Sequence, residues 1–249
     1  MTVRHTLAAA LLAGALATPA LAVAQDAPAA PPPLTRTTLD LGFVSASGNT
    51  RIRTLSFAEQ FVLQPAPWKL TQTASIVNGY TDGTETANAI RLGLRGDYAF
   101  TEHLRAYALA GYERNRFAGI ARRFEEQLGV SFGALVGPAH VLDLEAGAGL
   151  NQQTSPSAAV INYWLGRAAV HYRFTFRPNT YVDEKLELLQ SLETSGNRRI
   201  NSEAAVVAPL ATGIAMRVGW VLRFVNQLPD PAVRYHADQT VSAGLQIVF

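Results

Sequence analysis

Residues 241–249 run V-S-A-G-L-Q-I-V-F, and this alternation decides how the chain is read. Successive side chains of an extended strand point to opposite faces. Val241, Ala243, Leu245, Ile247 and Phe249 therefore share one face, and Ser242, Gly244 and Gln246 the other. The same pattern recurs from Thr37 onward. Leu39, Leu41 and Phe43 oppose Asp40 and Gly42; Ile90, Leu92, Leu94 and Tyr98 oppose Arg91, Arg95 and Asp97. Leu142, Leu144, Ala146 and Leu150 oppose Asp143 and Glu145, while Trp164, Val170, Tyr172 and Phe174 oppose Arg167, His171 and Arg173. Val182, Leu186 and Leu188 oppose Asp183, Lys185 and Glu187, and Met216, Val218, Trp220 and Leu222 oppose Arg217 and Arg223. Two stretches stay ambiguous in facing, residues 104–116 and 201–208.

Turn-forming residues divide these strands. Pro65-Ala66-Pro67, Thr101-Glu102-His103, residues 137–140, 177–180 and 209–213 read as tight turns, and the breaks between them are often longer. Together the segments make about twelve strands, an even number that can close antiparallel, with short turns on the periplasmic side and longer loops outside. The expected fold is thus all-β: a transmembrane, antiparallel, up-and-down β-barrel of the bacterial outer-membrane type spanning 37–249. Phe249 is the expected signal to the outer-membrane assembly machinery. A soluble β-sandwich also alternates, but it does not need an apolar face on nearly every strand.

Composition agrees. The chain is 48% hydrophobic and only 16% charged, lean in charge for a soluble domain. No apolar run reaches the roughly 18 residues of a spanning helix. Arg4 and His5, an apolar run to Leu16 and the small-residue site Ala22-Val23-Ala24 predict a cleavable signal peptide over 1–24. Residues 25–36, rich in proline and alanine, read as a periplasmic tether. Cysteine is absent, which removes disulfides and thiolate chemistry. A net charge of +2 gives no reason to expect a nucleic-acid partner.

On the stretches L-G-F-V-S-A-S-G-N-T (residues 41–50), G-Y-E-R-N-R-F (residues 111–117) and the C-terminal strand, the chain resembles the salt-induced, YdiY-like outer-membrane protein family, a domain of unknown function. The resemblance implies an outer-membrane location and a link to salt or osmotic stress. It supplies no reaction and no catalytic residues.

Candidate chemistry is sparse. His103 and His140 fall in tight turns, and His171 has no nearby serine in the arrangement of a lipid hydrolase. His236-Ala237-Asp238 is a lone H-x-D at the outer rim. Residues 82–85 (D-G-T-E) lack calcium-loop spacing and read as a hairpin tip. No enzyme, cofactor or metal site is expected. The lumen should be lined by Arg91, Arg95, Asp97, Asp143, Glu145, Arg167, His171, Arg173, Asp183, Lys185, Glu187, Arg217 and Arg223, signs nearly balanced. A second arginine set, Arg51, Arg53, Arg114, Arg116, Arg122, Arg123, Arg198 and Arg199, lies near the expected outer rim. Guanidinium forks pair bidentately with phosphate, so lipopolysaccharide is the expected partner there. The functional expectation is an envelope-structural or stress-related barrel. The alternative is a narrow channel for small solutes, including anionic ones, and a lipid-modifying or proteolytic barrel ranks last.

Overall fold

The structure is a computed structural model that describes residues 34–46, 52–157, 160–231 and 233–249. The signal-peptide reading and Arg51 lie outside the described residues. Twelve strands follow one another: β1 (Thr35–Ala46), β2 (Ile52–Leu63), β3 (Trp68–Thr81), β4 (Thr84–Ala99), β5 (Leu104–Asn115) and β6 (Ile120–Val136), then β7 (His140–Thr154), β8 (Val160–Arg177), β9 (Thr180–Ser191), β10 (Arg198–Ala211), β11 (Ile214–Val225) and β12 (Ala237–Val248). Each pairs antiparallel with its neighbours, and β12 returns to β1 to close the barrel. Closure leaves no unpaired sheet edge, the condition for strands in hydrocarbon. The seam runs from Thr38 opposite Val248 to Gly42 opposite Gly244. The amides of Thr37 and Phe249 donate to each other's carbonyls at 3.2 and 3.0 Å.

The first strand begins earlier than expected. Thr35 and Arg36 already stand opposite Leu63 and Val62, so the first strand starts at 35 and not at 37. Pairing with the full length of β2 draws these two residues into the ladder.

Facing follows the alternation. Val241 and Leu245 are exposed on the outer surface, whereas Gln246 between Leu245 and Ile247 is buried and donates to Asp40 inside at 3.0 Å. Both ambiguous segments resolve. Tyr107 points inward and is buried, leaving Ala106, Ala108, Ala110 and Tyr112 outside. On β10, Ala205 and Val207 are buried inside and Val206 is exposed outside.

Aromatic rings collect where the outer face ends. At the short-turn end, Trp68, Tyr98 and Phe100 meet edge-to-face at 4.9 and 5.1 Å, and His140 stacks on Phe174 at 4.8 Å. At the opposite end Tyr112 and Phe124 lie 5.0 Å apart, and Trp164 is exposed. Two such girdles, one at each rim, mark the positions where amphipathic rings meet head groups.

Candidate functional site in the barrel lumen

A belt of charge crosses the inner wall near mid-height. Arg95 on β4 holds Asp97 through Nε at 3.0 Å and reaches Glu145 on β7 through Nη1 and Nη2 at 3.0 and 2.7 Å. Glu145 also accepts from Arg167 on β8 at 2.6 Å. Arg167 Nε donates to Glu187 on β9 at 2.6 Å, and Asn201 on β10 donates to the other Glu187 oxygen at 2.6 Å. Beneath the belt lies Tyr107 on β5. The Arg95 guanidinium sits 4.3 Å from its ring centroid, a cation–π contact.

Smaller knots flank the belt. Toward the short turns, Arg105 pairs with Asp143, and Asp183 accepts from Arg173 Nε at 2.7 Å. His171 sits between two carboxylates, with Nε2 3.0 Å from Asp183 and Nδ1 4.0 Å from Asp143. Toward the longer loops, Glu113 accepts from Arg91 and Arg123, both at 2.9 Å. Arg199 pairs with Glu125, and Arg223 with Glu203. Lys185 also faces inward, directly opposite His171, and is exposed.

The two halves of the lumen differ. On the side of β8 and β9 an apolar cluster of Tyr163, Leu165 and Leu189, with Ile161 against it, is packed inside the barrel. Leu165 is fully buried. On the side of β1 to β3 and β12 many inward residues are small (Gly42, Ser56, Thr71, Thr73, Ser75, Ser242 and Gly244), interspersed with Asp40, Gln60, Lys69 and Gln246. Thr73, at the middle of β3 opposite Gly93, is exposed although it points inward. Arg217 and Asp40 face the same space 3.8 Å apart, each about 30% exposed. Side chains thus fill one half of the lumen and leave the other open to solvent.

Every expected lumen residue faces the interior by its register, and the structure joins most of them into the belt and its flanking knots. The outer-rim arginines divide. Arg53, Arg114, Arg116, Arg122 and Arg198 take outward positions near the loop end. Their partners are mostly neutral: Arg114 donates to Asn88 at 3.4 Å, Arg122 to Thr154 at 3.3 Å and Arg198 to Gln190 at 3.1 Å. Arg116 lies 4.0 Å from Glu85. Arg123 and Arg199 do not belong with them. Both are buried inside the barrel, Arg123 on Glu113 and Gln153 and Arg199 on Glu125. The reason is strand length: β6 and β10 start early enough to make these residues their first inward charges, and so they are unavailable to lipid. His236 is tied to the Val225 carbonyl at 2.8 Å. Tyr107, Arg105 and Glu113 are lumen residues that the alternation leaves unassigned; Glu125 falls on the polar face of its strand with Gln127 and Ser131, and Arg123 shares that parity.

These features define a class: a closed twelve-stranded antiparallel barrel, apolar outside and polar inside, of the kind found in outer-membrane porins and channels. Residues 39–249 match a family model described as "Protein of unknown function, DUF481", and the chain belongs to that family. Two solved structures share the fold. The NanC porin superposes with a TM-score of 0.54 at 6% identity, covering 85% of this chain and 98% of its own. An outer membrane channel from Pseudomonas putida F1 gives 0.51 at 12% identity, covering 91% and 98%. No curated protein matches the chain in sequence.

Proposed function

We propose that the protein is an outer-membrane barrel that conducts small hydrophilic solutes through the open half of its lumen, without catalysis. The observation that carries this reading is Thr73: a short hydroxyl residue at mid-height, inward-facing and exposed to solvent. A barrel of eight strands fills with side chains and one of sixteen holds an aqueous channel; here twelve strands leave an eccentric passage beside a packed wall. Interior charges of both signs neutralise one another, so the passage is expected to select weakly by charge. Purified protein in planar bilayers should show steady unitary conductance. Silence over a range of salts would leave the envelope-structural role, which the Arg95–Glu145–Arg167 belt independently favours.

In this reading the short-turn end lies in the periplasm, together with both chain ends, and Phe249 presents the C-terminal strand to the assembly machinery. Arg53, Arg114, Arg116, Arg122 and Arg198 then stand at the height of outer-leaflet phosphates and anchor lipopolysaccharide. The link to salt stress rests on the S-G-N-T and Y-E-R-N-R-F sequence resemblance, and growth of a deletion strain at high osmolarity tests it.

A further inference from the structure

The β11–β12 connection, residues 226–236, is the longest at its end of the barrel and leaves its own rim. At its base Val225 N donates to the His236 carbonyl at 2.8 Å, and Asn226 Nδ2 donates to Gly196 O at 2.7 Å. Five residues later Asp230 is buried and accepts from the backbone N–H of Ser157, in the β7–β8 connection, at 3.1 Å. Beside it, Gly119 in the β5–β6 connection touches the same segment. A Cβ on Gly119 would lie 2.7 Å from Val233 Cγ2, 3.0 Å from Asp230 Cβ and 3.2 Å from Pro229 Cγ. Gly119 also has φ of +71°, a conformation side chains resist.

In the closed strand order, β5 to β8 lie across the barrel from the β11–β12 edge that the connection leaves. A segment rooted at β11 and β12 and fastened to the β5–β6 and β7–β8 hairpins must span the mouth between them. Five extended residues reach at most about 17 Å, which bounds how far the segment runs from Val225 to its seat on Ser157. What remains beside it is a recess of about 220 Å³ lined by Phe117, Val233, Arg234, Tyr235 and Asp238. Asp238 stands directly opposite Arg223 on the inner wall, so the recess lies at the loop end of the lumen's charged lining.

We propose that the β11–β12 connection is a strap that narrows this mouth and sets the largest solute that enters, with Asp230 on Ser157 and the bare backbone of Gly119 as its seat. The proposal rests on the channel reading above. The test compares wild type with Asp230→Ala, with Gly119→Val and with a barrel whose residues 228–234 are replaced by a short glycine linker. Heat-modifiable migration on gels checks that each barrel is folded. Unitary conductance and liposome swelling with neutral sugars of graded size are the readouts. Each variant should conduct several-fold more than wild type and admit larger sugars, the shortened strap most of all. A conducting wild type matched by all three folded variants in conductance and size limit would overturn the strap while leaving the channel intact. If neither wild type nor the shortened-strap barrel conducts, the channel reading itself falls, and the strap with it.

Discussion

Arg167 on β8 donates through Nη1 to the hydroxyl of Tyr107 on β5 at 2.9 Å, with its guanidinium 5.4 Å from the ring centroid. Two strands lie between them, β6 and β7, and both present glycine to the phenol. A Cβ on Gly147 would meet the Tyr107 hydroxyl at 2.5 Å and the Leu128 carbonyl at 2.7 Å. The ring can lie flat along the wall only because nothing projects from it there, and Arg95 and Arg167 then pack on the ring rather than into the passage.

Gly147→Val should therefore destabilise the barrel by about 1–3 kcal/mol, the usual cost of overpacking. Urea unfolding in detergent, followed by tryptophan fluorescence, measures it. In a double-mutant cycle, Gly147→Val should cost less in a Tyr107→Ala background than in the wild type, because one of the two clashes is then absent.

Glu145 accepts from two guanidiniums and is nearly buried. Glu145→Leu leaves both without that partner, and breaking a buried ionic knot costs about 3–5 kcal/mol. Asp97 and Glu187 still hold Arg95 and Arg167, so the lower end of that range is expected in the same urea assay. Replacing Arg95 and Arg167 by Met in the Glu145→Leu background should add to the loss, because Asp97 and Glu187 then lose the guanidiniums that hold them.

Leu128 lies midway along β6 and is 69% exposed on the outer face. If acyl chains solvate that face, Leu128→Arg costs about 2–4 kcal/mol, while Leu135→Arg, on the same face near the end of the same strand, costs about 0–1 kcal/mol. Folding into lipid vesicles measures both. Equal costs would mean that the outer face does not sit across a bilayer.

The outward arginines give a medium-dependent prediction. Arg114, Arg116 and Arg122 replaced together by Gln should lower thermal stability in vesicles containing lipopolysaccharide and leave it unchanged in detergent. Equal loss in both media would assign these residues a purely intramolecular role. Arg123 serves as the internal control: buried on Glu113 and Gln153, it should lose stability in either medium when changed to Gln.

The barrel itself was legible because alternation is a local property and hydrocarbon enforces it on strand after strand. Inward Tyr107 was not, since an aromatic residue fits either face until the glycines of β6 and β7 are seen beneath it. Arg123 and Arg199 read as rim residues because strand ends carry weak local signals; once β6 and β10 extend past them, the alternation turns both side chains into the lumen. The inner cluster of Tyr163, Leu165 and Leu189 makes β8 and β9 apolar on both faces there, which blurs the alternation. The contact of Asp230 with Ser157 joins connections far apart in the chain and leaves no trace in either local sequence.

Because the chain has no cysteine, a single Thr73→Cys substitution reports directly on the open half of the lumen. With the barrel embedded in a planar bilayer, a small charged thiol reagent added in water should modify the cysteine and lower the unitary conductance at once. Absence of both conductance and modification in a folded barrel would contradict the account.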